Sequence, residues 1–546
     1  MTSICIKFCH PSHNMDMNKQ LSYLKNFITF HVPKDEKTYQ FPEDGPVTPP
    51  QPTPIPPISN KVEENLTFMK SAFSVPKNSD IKIREFRTGQ ANSFVIFVEG
   101  IVDRDLLNTH ILAPLMLLPN YQVTQEIIFD RLIVNNQVDK RDNIKQVLSD
   151  INMGNCAVFV DGIDTVFTCD VKKWDKRGIE KPVSESVIYG PHEGFNENFK
   201  INTALIRKTI RSENLICETL MLGKQSQTPC AFMYMKNITN ENLVEEMRRR
   251  LNNIDADYIY QAGELEQYLE DSTFSLVPQL LTTERPDKAS SSLIEGKIVL
   301  IIQGSPFALI APVTFSEFLT TVEDKYVRFP FANLMHFIRL IGVLCSFLLP
   351  GLYISIINFH QEMIPTDLLF AIEATREAVP FPALIELLLM EIAFDIIREA
   401  SIRVPSPVGS TLGIIGALII GQAAVSANLV SPIAIIIVAI TGIGSFATPN
   451  YALNFTFRFS RYIYIILGAF AGFFGISLGL FLNASLLCMV NSLGVPLFTS
   501  MSNDKNDNLI SLLFTNPIWK REFRHDFVNA KQNRMQADIS RKWADK

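Results

Sequence analysis

The sequence predicts a cytoplasmic α/β domain followed by an α-helical membrane domain with several spans. Three features support this fold class. Short apolar runs alternate with helical patterns through residues 61–325. Long apolar runs with few charges occupy most of residues 326–500. Several of these runs approach the length of about 20 residues that a helix needs to cross the apolar core of a bilayer.

The first 60 residues are predicted to form a disordered, proline-rich leader. Residues 45–57 read GPVTPPQPTPIPP and contain seven prolines. Such a run cannot form a helix or a sheet ladder, so it favours an extended spacer, with a PxxP ligand as the alternative. The N-terminal residues lack the apolar core of a signal peptide. We therefore expect the soluble region to stay in the cytoplasm.

Residues 61–325 are predicted to form the α/β domain, in two subdomains divided near residues 181–190. Prolines and a glycine interrupt the pattern at that division. Alternation of strands with helices predicts sheets that are covered by helices. The clearest strands are Phe94–Val102, Cys156–Val160, Ala231–Met235 and Lys297–Gln303, and the clearest helices are Arg104–Leu118 and Glu241–Asn252.

No sequence motif predicts an enzyme, a cofactor or a bound metal. There is no GxGxxG, and the LGKQ at residues 222–225 lacks the upstream glycine and the Lys-Ser/Thr of a phosphate loop. The eight cysteines are scattered without a CxxC, which favours single reduced thiols over a metal or disulfide framework. A net charge of -6 gives no signature of nucleic-acid binding.

Residues 326–500 are predicted to form the membrane domain, with four to six helices, and residues 501–546 a basic tail. An acidic loop, His360–Glu377, follows the first span. One apolar run contains acids and the last one is short, so six segments cross if both do and four if neither does. In chain order the runs are Phe337–Ile357, Phe381–Ile397, Leu412–Ala427, Leu429–Ala447, Tyr462–Leu482 and Ala484–Phe498.

The charges between the apolar runs predict the orientation of the chain. The loop Pro449–Arg461 carries two arginines and no acid, and residues 518–546 hold eight Lys/Arg against four acids. Loops rich in Lys and Arg favour the cytoplasmic side. Both helix counts are even, so both place the N- and C-termini in the cytoplasm. The six-span count also places Arg398 and Arg403 on that side and is preferred.

Three charged residues within and just after the second apolar run are predicted to form a polar stripe. Glu391, Asp395 and Arg398 fall on one face of a helix, whereas Glu386 points away. Ionisable groups at membrane depth tend to face a cavity, a partner or a pore, so the stripe can line an ion path or a gating contact. The alternative is an amphipathic helix at the interface, with its acids in headgroup water or paired with Arg398.

The third apolar run contains a ridge of small residues and a short polar face. Small residues spaced by four along a helix let two helix backbones approach closely, within one chain or between copies. Gln422 and Ser426 lie one turn apart, and a ring of such residues with Val425 around an axis would form a narrow gate. Their alternative role is simple interhelical hydrogen bonding. The ridge consists of Gly409, Gly413, Ala417 and Gly421.

Long collinear segments of the chain resemble the A subunits of GerA-type spore germinant receptors. The resemblance covers roughly residues 61–520. It rests on PFPALIELLLMEIAFDIIREASIRVPSPVG (380–409) followed by STLGIIGALIIGQAAVSANLVSPIAIIIVAITGIGSFATP (410–449), and on residues 187–210, 277–315 and 323–340.

The resemblance implies a multi-pass protein of the spore inner membrane. It implies two partners, a transporter-like membrane protein (the B subunit) and a lipoprotein (the C subunit). It also implies a homo-oligomer, as a pentamer, that acts as a ligand-gated ion channel and releases monovalent cations. Two other functions compete with this one. A secondary transporter would use Glu391 or Asp395 as its ion site, and a scaffold would hold partners without conducting.

Overall fold

The structure is a computed structural model and has the predicted fold class. Two β-sheets with helices form the first half, and a helical region with long apolar helices follows. Gly409, Gly413 and Ala417 of the predicted ridge lie outside the described residues, as do nearly all of the predicted leader and much of the predicted tail. The residues that the structure describes are 56–117, 123–173, 181–182, 184–403, 421–498 and 517–536.

The first sheet belongs to a unit, here the first repeat, that runs from a helix at residue 62 to a strand at residue 169. Its elements are α1 (Val62–Ala72), β1 (Ile81–Thr88), β2 (Ala91–Val98), the helical turns Arg104–Leu106, Leu107–Leu112, Ala113–Met116, Gln125–Ile127 and Ile128–Leu132, β3 (Val138–Arg141), α2 (Ile144–Asn152), β4 (Cys156–Val160) and β5 (Val166–Cys169). The antiparallel strands lie in the order β1-β2-β4-β5-β3. Successive strand residues serve opposite faces, so Phe94 packs with α1 and α2 while Val95 packs under the helical turns.

A second repeat follows with the same sequence of elements. It contains α3 (Phe199–Thr209), β6 (Leu215–Leu222), β7 (Thr228–Met235), α4 (Glu241–Asn252), α5 (Ala262–Leu269), β8 (Leu281–Thr283), α6 (Pro286–Ile294), β9 (Ile298–Ile302) and β10 (Ala308–Ala311). Its strand order, β6-β7-β9-β10-β8, is that of the first sheet shifted by five, and its pairs are again antiparallel. In each repeat one helix precedes the first hairpin, helices follow that hairpin, and one helix precedes the final strand pair.

A buried arginine joins the two repeats. Arg207 of α3 donates to both carboxylate oxygens of Asp80, at 2.8 and 2.9 Å, and to Asn78 at 3.1 Å. The Arg207 side chain is 2% exposed. The segment before β1 also pairs with β6, because Ser79 N donates to the Cys217 carbonyl at 2.8 Å. The first repeat is therefore fastened to the edge of the second sheet.

The second half of the chain is helical. Its two longest helices, Phe329–Phe359 and Tyr451–Met489, are long and apolar enough to cross a membrane, judged by length and composition alone. Two sequence predictions are wrong here. The predicted loop at residues 360–377 contains a helix, and the predicted loop at residues 449–461 is helical from Tyr451. The elements are α7 (Phe329–Phe359), α8 (Thr366–Arg376), α9 (Ala383–Arg403), α10 (Pro432–Phe446), α11 (Tyr451–Met489), β11 (Asn491–Ser492), β12 (Val495–Pro496) and the 3₁₀ turns Phe315–Phe318, Val322–Lys325, Gln361–Met363, Ile518–Lys520 and Asp526–Val528.

The helix α11 folds back on itself at Gly472. That glycine has φ +57° and ψ -141°, a backbone conformation outside the helical region that residues with a Cβ rarely adopt. Asn483 Nδ2 donates to Tyr464 Oη at 3.3 Å, although those residues would be about 28 Å apart in a straight helix. Residues 451–471 and 473–489 are therefore two antiparallel arms, here the first arm and the second arm.

Both ends of this hairpin lie against the α/β half. Thr456 in the first arm bonds to the Leu276 carbonyl, and Ser492, just after the second arm, donates to the Gln279 carbonyl at 2.6 Å. The prediction of one continuous span over 462–482 is wrong, because the reversal falls inside it. The prediction of a further apolar helix over 484–498 is also wrong, because the second arm ends at Met489 and the hairpin β11–β12 follows.

Glycines bring α7 close to the first arm. A Cβ added to Gly351 would lie 2.7 Å from the Tyr464 carbonyl oxygen, and one added to Gly468 would lie 2.6 Å from the Gly351 carbonyl oxygen. Ser355 Oγ donates to the Gly351 carbonyl at 2.9 Å at the same crossing. Gly421, by contrast, leaves 3.9 Å to Ile435, an ordinary contact. Backbone approach through glycine is a common way for helices to pack in lipid.

Candidate functional site

The polar stripe of α9 faces the first arm of α11. Arg461 Nη1 lies 2.9 Å from Glu391 Oε2, and Arg461 Nη2 lies 3.2 Å from both oxygens of Asp395. The side chains of Arg461 and Glu391 are 1% and 0% exposed. An isolated charge is costly in such a place, so each acid depends on the guanidinium beside it.

Asp395 is held by two further groups of the first arm. Arg458 Nη2 lies 2.9 Å from Asp395 Oδ1, and the Tyr462 hydroxyl donates to Asp395 Oδ2 at 2.7 Å. Two acids of α9 therefore meet two arginines of α11, and the formal charges cancel. The cluster joins the two helices by ion pairs and charge-assisted hydrogen bonds, which are stronger than neutral ones.

Arg398, the third residue of the predicted stripe, binds a different helix. Its Nη1 donates to Ser445 Oγ at 2.7 Å, and its guanidinium lies 4.4 Å from the centre of the Phe446 ring. Both partners belong to the end of α10. The stripe thus connects α9 to α11 through its acids and to α10 through its arginine.

The sequence prediction missed Arg458 and Arg461 as partners of the acids. Both were placed in a cytoplasmic loop because they were considered as loop charges. A signal was present: their spacing of three residues puts them on one helix face, as the spacing of four does for Glu391 and Asp395. The structure shows that the first arm begins early enough to carry them inside the bundle.

A second polar cluster surrounds Glu386, which the sequence placed away from the stripe. Its side chain is 0% exposed, and it accepts a hydrogen bond from the Ser431 backbone N–H, at the start of α10. Arg376 Nε of α8 lies 3.7 Å from Glu386 Oε2. An acid is favourable at a helix N-terminus because the unpaired N–H groups there carry partial positive charge. Glu386 thus links α8, α9 and α10.

The predicted gate residues lie on a short described helix, residues 421–426. Gln422 and Ser426 are exposed, and Val425 is partly buried. The opposite face is packed, since Ala424 is buried in a core shared with α7, α9 and α10. The polar side chains that were predicted to face an axis are therefore on the outer surface of a single copy.

A small apolar cavity separates this helix from the stripe-bearing helix. Its volume is about 80 Å³, enough for side-chain movement between the helices. The lining residues are Met390, Ala393, Phe394, Ile397, Gly421, Ile435, Val438 and Ala439.

Two glutamates and a histidine lie close enough together to bind a metal ion, but neighbouring lysines already balance the charge of the glutamates. Ligand atoms of Glu295, Glu317 and His525 lie within 4.8 Å of one another. Lys297 is ion-paired to both acids, and Lys325 Nζ lies 3.2 Å from Glu295. Burial opposes ionisation of Glu295, yet the neighbouring cations hold its pKa well below the ordinary value. The cluster is a buried salt-bridge network.

The fold and these clusters define a class of membrane-associated protein, in which an α/β domain of two repeats precedes a bundle of apolar helices with buried ion pairs. Residues 67–527 match the family model described as Bacillus/Clostridium GerA spore germination protein. Since that match covers most of the chain, this chain belongs to the GerA family.

Several curated relatives and one solved structure are similar to the chain. It is 38% identical to spore germination protein KA of Bacillus subtilis, over 86% of this chain and 87% of the relative. It is 34% identical to the uncharacterized membrane protein YfkQ of Bacillus subtilis, over 86% and 91%. The crystal structure of the N-terminal domain of the A subunit of the Bacillus megaterium spore germinant receptor GerK3 is 30% identical, covers 48% of this chain and 99% of that chain, and has a TM-score of 0.38.

Proposed function

We propose that this chain is the A subunit of a nutrient germinant receptor in the spore inner membrane. It transduces germinant binding into ion release as a homo-oligomeric, ligand-gated channel, a pentamer by family resemblance. A transporter-like B subunit and a lipoprotein C subunit are its partners. The chain crosses the membrane six times, with the two arms of α11 replacing the last two predicted runs, and its α/β domain and both termini lie in the cytoplasm. It has no enzymatic role.

One observation carries the channel proposal: Gln422 and Ser426 are polar and exposed on a helix whose other face is packed in an apolar bundle. In lipid such a face needs a polar neighbour or water. Several copies arranged around an axis would supply polar neighbours and water, because their polar faces would line a narrow ion path. Val425, partly buried beside it, would narrow that path in the closed state.

The bundle has two states in this proposal, and the ion pairs of the stripe stabilise one of them. Glu391 and Asp395 hold α9 against the first arm, and the apolar cavity gives the 421–426 helix room to shift. A partner subunit can bias such an equilibrium only by contacting the two states differently. The α/β domain can relay that bias because it bonds to both ends of the α11 hairpin.

The paired acids weigh against the transporter alternative. A transported ion or proton needs an acid that can exchange its partner with solution. Glu391 is 0% exposed and faces an arginine that is itself 1% exposed. The scaffold alternative has no specific observation in its favour, and a direct recording of current separates it from a channel.

The proposal is tested by single-channel recording of the purified oligomer in a planar bilayer. We expect a monovalent-cation conductance that changes when Gln422→Ala or Val425→Ala is introduced. Ile436→Ala is the matched control, because Ile436 is an exposed apolar residue of the neighbouring helix α10, and it should leave conductance unchanged. Absence of current in the wild-type oligomer would favour the scaffold. Substrate uptake that is lost on Asp395→Asn would favour the transporter.

A further inference from the structure

The tip of the α11 hairpin leaves a helix start without its usual capping group. The second arm begins at Phe473, directly after the reversed backbone of Gly472. The first N–H groups of any helix have no partner inside that helix. They are usually bound by the side chain of a preceding Ser, Thr, Asp or Asn, whereas Ala471 and Gly472 precede this arm and can supply no such group.

His360 supplies the missing acceptor from another helix. The Phe473 backbone N–H donates to His360 Nε2 at 3.4 Å, and the two rings stack with centroids 4.5 Å apart. His360 follows directly on the last residue of α7. A Cβ on Gly472 would meet His360 Nε2 at 3.0 Å and Phe359 Cβ at 3.1 Å, so the tip is seated closely on the end of α7.

The contact requires a neutral imidazole. A ring nitrogen accepts a hydrogen bond only when it carries no proton, and both ring nitrogens are donors in the charged form. A charged imidazolium would also place a positive charge at the positive end of the second arm. Protonation of His360 therefore removes an attraction and adds a repulsion at the same point.

The two helices that form this contact carry few other titratable groups near it in the sequence. The two arms carry no Asp, Glu, Lys, Arg or His over residues 462–489, and neither does α7 over residues 340–359. The only other titratable side chains of those two stretches are tyrosines and cysteines. Glu362, two residues beyond His360 on the following 3₁₀ turn, is the nearest acid in the sequence and is exposed.

We infer that His360 is a proton-sensitive latch on the α11 hairpin. Neutral His360 caps the second arm and holds the tip on α7, and its protonation releases the tip. This latch would let acidity on the membrane face opposite the α/β domain influence the bundle. That placement rests on the proposed topology, whereas the contact itself depends on neither channel activity nor topology.

The test is hydrogen–deuterium exchange of peptides that cover the tip, measured on the full chain in lipid nanodiscs. The exchange is compared at about pH 5 and about pH 8, where histidines are ordinarily charged and neutral. After correction for intrinsic exchange rates, we expect the tip to be about two- to tenfold less protected at the lower pH, the range for loss of one hydrogen bond. A peptide from α10 reports whether the bundle as a whole stays folded.

Two variants and one control make the test decisive. His360→Gln keeps an acceptor that cannot take up a proton, so its tip should be protected equally at both pH values. His360→Phe keeps the stacking and removes the acceptor, so its tip should be weakly protected at both. His336→Gln, at the opposite end of α7, should keep the wild-type pH dependence. The inference is overturned if the wild-type tip shows no pH dependence, or if His360→Gln retains it.

Discussion

The helical half of this chain exposes many more large apolar side chains than the α/β half does. In the α/β half, both sheets lie between apolar cores that are covered by helices. In the helical half, Glu386 and Glu391 are fully buried, while Ile443 is 72% exposed and Phe470 is 76% exposed. Such exposure is unfavourable in water and natural in lipid. The contrast is the one expected of a chain whose helical half lies in lipid.

The two halves nevertheless use the same device at their junctions, a buried arginine between elements distant in sequence. Arg207 joins the two repeats and Arg461 joins α9 to α11. Arg207 makes bidentate hydrogen bonds to Asp80 at the junction of the two repeats. Arg461 serves two acids inside the bundle, where water cannot compensate a lost partner. The same substitution should therefore cost more in the helical half.

The largest effect is expected for Arg461→Met. It would leave Glu391 buried and uncompensated, which typically costs about 3 to 5 kcal/mol. Thermal unfolding of the chain in nanodiscs measures this loss. Arg249→Met is the control, since Arg249 pairs with Glu246 on the surface of α4 at 62% exposure, and exposed pairs contribute about 0 to 1 kcal/mol. Equal losses of stability in the two variants would show that the buried ion pairs of the stripe do not hold the bundle together.

A smaller loss is expected for Arg207→Met. Asp80 would lose its guanidinium but lies nearer to solvent, so we expect a cost of about 2 to 4 kcal/mol. Limited proteolysis of the chain should show faster cleavage near residues 78–80, where the first repeat joins β6. A variant that unfolds like the wild type and resists cleavage would contradict the role of Arg207 as the junction.

Close packing in the bundle can be tested by adding a methyl group. Gly351→Ala places a Cβ 2.7 Å from the Tyr464 carbonyl oxygen, and overpacking of this kind costs about 1 to 3 kcal/mol. Gly421→Ala is the matched control, because its Cβ would have 3.9 Å of space beside Ile435. We expect a lower unfolding temperature for the first variant only. Similar unfolding temperatures for both variants would mean that α7 and the first arm do not approach closely at Gly351.

The smallest effect concerns pH in the α/β half. Burial raises the pKa of Glu266 in α5 to about 7, with a contribution from Glu270, and burial raises the pKa of Glu270 to about 6. Between their ordinary value of 4.5 and these values, the folded state binds more protons than the unfolded state. Stability should therefore fall as the pH rises through that range.

Glu266→Gln removes the larger of these contributions. After allowance for its partial exposure, we expect a gain of about 1 to 2 kcal/mol at pH 8 and little change at pH 4. Denaturant titration at the two pH values measures the difference. A gain of equal size at both pH values would mean that the glutamate ionises normally in the fold.

Part of this architecture could be predicted from the sequence. The fold class and four strands, which overlap β2, β4, β7 and β9, were predicted from apolar runs that are buried in the sheets. The edge strand β3 was missed because its VDKR is polar, and β8 because it has only three residues. The helix α8 was missed because its acids and the preceding Pro365 are typical of a loop.

The reversal at Gly472 could not be predicted by the same reasoning. Apolar residues continue on both sides of it without a proline or a polar turn, so hydropathy indicates one span. The glycines at 468 and 472, and those at 475 and 479, have the four-residue spacing that is typical of helix packing, and Gly468 does pack in this way. Only the tertiary contacts distinguish the one that turns the chain. The pairing of Asp395 with Arg458 was missed for a different reason, because Arg458 was assigned to a loop outside the bundle.

The central claim, that α11 is a hairpin with both ends on the side of the α/β domain, can be tested most directly by cysteine accessibility. Tyr451 and Met489 are both exposed, and each can be replaced by cysteine in a chain without its native cysteines. In sealed vesicles of known orientation, a membrane-impermeant maleimide should label both positions from the same side. Labelling from opposite sides would contradict the account, because a straight helix of this length would separate them by about 57 Å.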